Sequence, residues 1–242
     1  MDSRKILEIY KLINDRSIKP VNAWPSIADI PQGALVRDAD GVVKEKRFVV
    51  ELNGPDTLTF APISADLKAI DWEVSMLFCD VNPSQSTYSR IVQFLAGSLA
   101  NIILVASTTG GLEIYLRNDG ATTVHSVTMG ASYNNSKYHK ITFGMAGGLF
   151  YAMSENEQKQ TIAVPNWTGT GFSSVLISDT QISIRPIQIS KIKQVSGSSV
   201  DCFQCNEQTG TAIANQCTPS RPATLSDAAA HVGALVPVSL LT

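Results

Sequence analysis

Most of the chain after residue 46 alternates between apolar and polar side chains with a period of two. This alternation is typical of β-strands that bury one face and leave the other facing solvent. The clearest examples are the run that begins at Trp72 and the run that begins at His139. We predict that these two strands turn the following residues inward: Trp72, Val74, Met76, Phe78, Ile141 and Phe143.

Short turn signals separate the alternating runs. They include Asp40-Gly41, Asn53-Gly54-Pro55, Asn118-Asp119-Gly120 and Gly147-Gly148. Many short strands between closely spaced turns predict an antiparallel sandwich or barrel. No helical pattern of ten residues intervenes, which argues against alternating β-α-β units. Asp40-Gly41 in particular predicts a tight hairpin.

The first 45 residues do not share this alternation. Apolar residues between positions 3 and 16 recur on one helical face, which predicts an amphipathic helix. Prolines at positions 20, 25 and 31 then predict an extended arm. The chain is accordingly divided into three parts: a helix and attachment arm over 1–45, a β-sandwich over 46–194, and a tail segment over 195–242.

Composition narrows the function classes. The chain has 242 residues, of which 44% are hydrophobic, and this is enough to build a sizeable core. Its net charge is −2 and it has no block of Lys and Arg, so a nucleic-acid partner is not expected. The start of the chain lacks the apolar region of a signal peptide, and no apolar run is long enough for a bilayer. We therefore expect synthesis in a cytoplasm and no membrane insertion.

Four cysteines allow two interpretations. Cys79 lies in a predicted strand and is expected to be a buried thiol. Cys202, Cys205 and Cys217, together with His231, have the ligand types of a zinc site, but Cys217 has no second cysteine two residues away. Free thiols in a reducing compartment are the favoured interpretation. No metal and no other cofactor is predicted.

The order of strands between about 46 and 194 resembles that of laminin G-like domains, which belong to the concanavalin A-like family. The segments that carry the resemblance are Phe48–Phe60, Asp71–Phe78, Arg90–Phe94, Gly111–Leu116, Tyr138–Gly144 and Gly147–Glu157. Tyr138-His139 stands where the family often has Trp-His. The turn within Gly147–Glu157 lacks the usual glycine of the family. The resemblance implies an all-β, antiparallel jelly-roll sandwich.

A second resemblance lies in the tail. Cys205–Ile213 resembles an Asn-Glu-Gly-Ser-Gly-Thr segment found beside laminin G-like domains in bacteriophage and bacterial surface proteins. It implies a phage virion structural protein, such as a tail fibre, an adaptor or a capsid decoration protein, located in the virion. Residues 1–45 would then attach to other virion subunits. The resemblance to phage fibres also implies a homo-oligomer, with a trimer as the expected form.

Catalysis is not expected. Glycosidases of this fold need two carboxylates that flank the sugar bond. The nearest approach is Glu155-Asn-Glu157, which falls in a predicted turn where charged side chains are ordinarily solvated. No Gly-x-Ser-x-Gly nucleophile motif is present. His139 opens a predicted core strand and is expected to be a packed or capping residue.

Carbohydrate binding remains an alternative function, with host cell-surface glycans as the ligands. Sugar sites combine an aromatic platform with amide or carboxylate groups. Two predicted loops have these residue types, and the candidate residues are Tyr133, Asn134, Asn166 and Trp167. Calcium is common in this fold, and Asn118, Asp119 and Asp179 could supply oxygen ligands, although their spacing does not require it.

Overall fold

The computed structural model describes residues 18–53, 56–80, 89–106, 111–130, 133, 135–155, 158–177, 187–226 and 231–241. The helix predicted over residues 3–16 lies outside these ranges. Within them the chain forms β-strands and short 3₁₀ turns at Val21–Ala23, Ile27–Asp29 and Val238–Leu240, and it forms no α-helix. No helix in this part of the chain is long and apolar enough to cross a membrane.

The strands, numbered in chain order, form two antiparallel sheets. The front sheet contains β1 (Leu35–Arg37), β2 (Val43–Leu52), β4 (Trp72–Asp80), β9 (Tyr138–Ala146), β10 (Leu149–Ser154), β11 (Gln160–Ala163), β13 (Ile187–Ser196), β14 (Ser199–Phe203) and β17 (His231–Pro237). Its order is β1-β2-β13-β4-β9-β10-β11, while β14 pairs with β13 and β17 pairs with β2.

The back sheet contains β3 (Leu58–Phe60), β5 (Ser89–Ala96), β6 (Leu99–Ala106), β7 (Leu112–Arg117), β8 (Thr123–Met129), β12 (Phe172–Ile177), β15 (Ala212–Ile213) and β16 (Ala223–Leu225). Its order is β15-β16-β3-β12-β5-β6-β7-β8. The two sheets share one apolar core, so the predicted all-β antiparallel sandwich is confirmed.

The core forms as the strand period predicts. All six residues expected to face inward are buried, with at most 2% of any of them exposed. Trp72 is the centre of an aromatic group, because its ring centroid lies 5.8 Å from that of Phe94 and 6.1 Å from that of Phe143. Its indole N–H donates to the carbonyl oxygen of Leu67, which satisfies the one polar atom of the ring.

The sandwich extends past both predicted limits. On the N-terminal side, β1 pairs with β2 across the predicted Asp40-Gly41 hairpin, where Gly41 has a φ of +80°. On the C-terminal side, β14, β15, β16 and β17 all join the two sheets. Strands β15 and β16 have two and three residues, which are too few to show a period, and β17 contains Gly233 and Pro237, which are atypical of a strand.

A second apolar cluster covers part of the outer face of the front sheet. It consists of Val49, Leu77, Cys79, Tyr138, Ala234 and Val236, with Val232, Leu240 and Leu241 packed against it. Its members from β4 alternate with the inward-facing residues of that strand, so they lie on the opposite side of the sheet from the main core. The end of the chain is thereby held against the outer face of the front sheet.

Candidate ligand-binding groove

Three cross-strand rows of side chains form a groove on the outer face of the front sheet. The register places Val195, Glu73, Gly144 and Tyr151 in the first row, Lys193, Ser75, Thr142 and Met153 in the second, and Lys191, Leu77 and Lys140 in the third. Because side chains alternate along each strand, the polar residues of β4 that face away from the core lie in these rows. The groove is therefore a direct product of the strand register.

The groove encloses a cavity of about 220 Å³. Leu240, in the final 3₁₀ turn, forms part of its wall. Pockets for drug-sized ligands begin at roughly 300 Å³, so this cavity suits one small polar unit of a larger ligand. Ser75 and Thr142 line the cavity together with the apolar side chains of Met153 and Leu240, and neither hydroxyl hydrogen-bonds within the described part of the chain.

One end of the groove is fixed by a tyrosine and a carboxylate. The Tyr151 hydroxyl donates to Glu73 Oε2 at 2.8 Å, across β9 at the position of Gly144. Burial and the neighbouring Glu73 carboxylate raise the pKa of Tyr151, so the phenol stays protonated and keeps donating. Lys159 Nζ lies 3.9 Å from the centroid of the Tyr151 ring, which is a cation–π contact.

The other end of the groove is closed by the C-terminal segment. Lys191 Nζ donates to the carbonyl oxygen of Leu241 at 3.0 Å, and the leucine side chains pack against the outer-face cluster. A further cavity of about 420 Å³ lies on the same face and includes Tyr138, Gln188 and Pro237 in its lining. The segment from Pro237 to Leu241 thus contributes to both cavities.

The groove is rich in positive charge. Among the described residues, Lys140, Lys191 and Lys193 line it, whereas Glu73 is the one acidic residue in that lining. The whole chain carries a net charge of −2, so this local excess does not come from a basic composition. Within the described residues the Lys193 ammonium has no hydrogen bond and no ion pair, which leaves it available to a ligand.

The predicted aromatic platform does not form. Trp167 and Tyr133 are buried, with 0% and 1% of their residue surfaces exposed. The Trp167 ring packs 6.2 Å from the centroid of Phe172, and its N–H donates to the carbonyl oxygen of Arg117. These rings belong to the core, so they are not available for stacking against a sugar. An aromatic residue beside turn-forming residues gave no sequence signal that could distinguish a surface position from a buried one.

Of the two asparagines predicted to contact a sugar, the structure describes one. Asn134 lies outside the described residues. Asn166 is exposed, and its main-chain carbonyl oxygen accepts a hydrogen bond from Asn118 Nδ2 at 2.8 Å. The other amide atom of Asn118 accepts from the Thr168 N–H, so Asn118 closes this loop. Asp119 accepts from the backbone of Ala121 and Thr122. The side chains considered as calcium ligands therefore stabilise turns here, while Asp179 is not among the described residues.

The Glu155 carboxylate is hydrogen-bonded to a buried histidine, and is not simply solvated as the sequence predicts. His139 is 5% exposed, its Nδ1 lies 2.7 Å from Glu155 Oε1, and its Nε2 lies 2.9 Å from Asn135 Oδ1. The ring also packs edge-to-face against Tyr133. The prediction that His139 is a packed residue is confirmed. Glu157 lies outside the described residues.

The expectation for the tail cysteines is wrong in part. Cys202 and Cys217 form a disulfide with a Cα–Cα distance of 5.3 Å, which lies within the range that such a bond spans. Asn215 Oδ1 holds this loop in place by accepting the N–H groups of Cys202, Cys217 and Thr218. Two of the candidate zinc ligands are thus bonded to each other. Cys79 and Cys205 are buried free thiols, as expected.

Potential metal ligands do not cluster in the part of the chain that the structure describes. There, no three or more His, Cys, Asp or Glu side chains come together in a way that could hold an ion. The free Cys205 thiol is fully buried, and burial raises its pKa. It is therefore neither an ionised ligand nor an activated nucleophile.

Comparisons with known proteins returned structural similarity only. No family model and no curated protein matches the chain. A heptameric SAP-like pentraxin from Limulus polyphemus aligns with a TM-score of 0.46 and 10% identity, over 61% of this chain and 75% of that one. The CBM40 of a Ruminococcus gnavus IT-sialidase, bound to α2,3-sialyllactose, aligns with a TM-score of 0.42 and 11% identity, over 60% of this chain and 90% of that one. Sheep galectin-11 aligns with a TM-score of 0.41 and 10% identity, over 57% of this chain and 96% of that one.

Proposed function

We propose that the protein is a non-enzymatic carbohydrate-binding module whose ligand site is the groove on the outer face of the front sheet. The observation that carries the proposal is the pair of hydroxyl residues, Ser75 and Thr142, that line a cavity of about 220 Å³ together with the apolar Met153 and Leu240. Sugars carry hydroxyl groups around the rim of a ring whose C–H faces are apolar, and a small site lined by both hydrogen-bonding and apolar side chains matches this chemistry. A host cell-surface glycan is the proposed source of the ligand.

The proposed site lies on paired strands. Ser75, Thr142 and Lys193 come from β4, β9 and β13, which are hydrogen-bonded neighbours in the middle of the front sheet. Side chains on such strands keep their relative positions better than side chains on loops, which supports a preformed binding site. The described residues that line the groove provide one carboxylate, Glu73, so the paired carboxylates of a glycosidase are lacking there.

Glycan-array binding with matched variants tests this proposal. Ser75→Ala and Thr142→Val each remove one hydroxyl and should weaken binding by about 0.5–1.5 kcal/mol, or roughly two- to twelvefold in affinity. Ser173→Ala provides the control, because this exposed serine lies on the back sheet. Binding that is lost equally in all three variants, or in none, contradicts the proposed site. Saccharide turnover that is lost in Glu155→Gln would contradict the non-enzymatic part.

A second candidate function is that of a phage virion structural protein that displays this sandwich. The supporting observation is the arm over residues 18–34, which is anchored to the sandwich but keeps an exposed apolar side. Ile30 is buried, and the buried Lys46 donates from Nζ to the carbonyl oxygen of Ile27. The Ile27 side chain itself is 48% exposed, beside a cavity of about 400 Å³ that Trp24 and Pro25 also line. An anchored arm with an open apolar side suits attachment to another subunit.

This second candidate also fits the disulfide between Cys202 and Cys217, since disulfides persist in oxidising surroundings such as a particle released from the cell. Ile27→Asp should reduce incorporation into particles, or reduce the oligomeric mass measured by light scattering, without unfolding the sandwich. Leu99→Asp, which changes an exposed apolar residue on the back sheet, is the control for added charge. Unchanged incorporation and unchanged mass in Ile27→Asp would rule out this attachment surface.

A further inference from the structure

We infer that the groove recognises the acidic group of its saccharide, a carboxylate or a sulfate, and that Lys193 is the residue that binds it. This inference rests on the proposed function and narrows the class of saccharide that the same site binds. The described residues that line the cavity include three lysines and one glutamate, in a chain whose net charge is −2. A positive groove on an acidic protein favours a ligand of opposite charge.

The three lysines of the groove differ in their surroundings. Lys191 already donates to the Leu241 carbonyl oxygen, so part of its hydrogen-bonding capacity is used by the C-terminal segment. Lys193 lies in the same row as Ser75 and Thr142 and is half-buried, and within the described residues its ammonium has neither a hydrogen bond nor an ion pair. An ammonium group beside two hydroxyls provides both a charge and neutral donors for an oxyanion.

Glu73, the acidic residue in the described part of the groove lining, forms no ion pair with Lys193. Glu73 lies one row away, and its Oε2 accepts a hydrogen bond from the Tyr151 hydroxyl. Lys159, on the far side of the Tyr151 ring, adds another positive charge near this end of the groove. The charge of Lys193 therefore stays available to a ligand, and it is partly shielded from salt because the stem of this lysine is half-buried.

Pairs of saccharides that differ only in charge provide the test. Oligogalacturonate is compared with its methyl ester, and a sulfated galactan is compared with its desulfated form, by calorimetry on the full chain. Lys193→Met keeps the length of the side chain and removes the charge. It should weaken binding of the acidic member of a pair by about tenfold or more, and binding of the neutral member by much less. Lys193→Arg should restore most of the affinity.

Lys137→Met makes the same charge change on the rim of the other cavity, and it should leave affinity nearly unchanged. Equal losses in Lys193→Met and Lys137→Met would mean that overall charge attracts the ligand, which would overturn the inference. Neutral saccharides that bind as tightly as acidic ones, and lose affinity in Ser75→Ala, would overturn it while leaving the proposed function intact. If no saccharide of either charge binds, both the proposed function and this inference fail.

Discussion

Replacement of Gly144 by alanine should destabilise the protein more than alanine at any other described glycine of the front sheet. An ideal Cβ at position 144 would lie 2.0 Å from the carbonyl oxygen of Trp72 and 2.9 Å from the Cα of Glu73. Both atoms belong to the backbone of β4, so no side chain can rotate to make room. To reach 3.0 Å, below which real Cβ atoms are essentially never found, β9 and β4 must move apart locally by 1.0 Å.

The expected cost has two parts. Overpacking costs about 1–3 kcal/mol, and each ladder hydrogen bond that the separation breaks adds about 0.5–1.5 kcal/mol. We therefore expect Gly144→Ala to lower the free energy of unfolding by about 2–4 kcal/mol. Saccharide binding should weaken as well, because Gly144 lies between Glu73 and Tyr151 in the first row of the groove.

Urea denaturation followed by tryptophan fluorescence measures this difference. Gly130→Ala is the matched control, because nothing lies within 4 Å of an ideal Cβ there and its φ is not in the left-handed region. The control should stay within about 0.5 kcal/mol of the wild type. If Gly144→Ala is as stable as Gly130→Ala, the contact between β9 and β4 is not as close as described, and the reasoning fails.

Four further predictions concern the core, the disulfide, the arm and the C-terminal segment. Phe143→Ala should cost about 3–5 kcal/mol in urea denaturation, since Phe143 is fully buried against Trp72 and Phe94; a loss below about 0.5 kcal/mol would mean that the strand faces the other way. Cys217→Ser should cost about 3 kcal/mol, because it opens a loop with a sequence separation of 15, and the wild type under reducing conditions should show the same loss. Burial lowers the pKa of Lys46 below its ordinary 10.5, so between the two values the unfolded chain holds a proton that the folded chain has released. The free energy of unfolding should therefore increase with pH in that window, and a pH series on Lys46→Met should lack this increase. Removal of the residues after Pro237 should release Lys191 and open one end of the groove. Longer saccharides should then bind about three- to tenfold more tightly, while the affinity for a single sugar unit should not change. Equal changes in affinity for both lengths would contradict a role of this segment in limiting the length of the ligand.

The inward faces of the long strands could be predicted from sequence, because alternation is a local property. Trp72 and Phe143 lie where their strand phases placed them, and the hairpin at Gly41 follows from two turn residues. The limits of the sandwich could not be predicted. Strand β17 pairs with β2 across a separation of more than 180 residues, and neither strand carries a signal that specifies its partner.

The groove escaped prediction for a related reason. Ser75 and Thr142 are ordinary polar positions in alternating strands, and they become neighbours of Lys193 only through the register of β4 with β9 and β13. The loop aromatics suggested a site because their residue types fit sugar binding. Burial of Trp167 depends on the Arg117 carbonyl and on Phe172, which are contacts that sequence spacing does not reveal.

The most direct test of the central claim is an NMR titration of the protein with saccharides, with the Met153 methyl group and the backbone amides of the groove as reporters. Chemical-shift changes should concentrate on Ser75, Thr142, Met153 and Lys193, and they should decrease in Thr142→Val. Changes that concentrate instead on the loop around Asn166, or a titration without any localised changes, would contradict the assignment of the ligand site to the outer face of the front sheet.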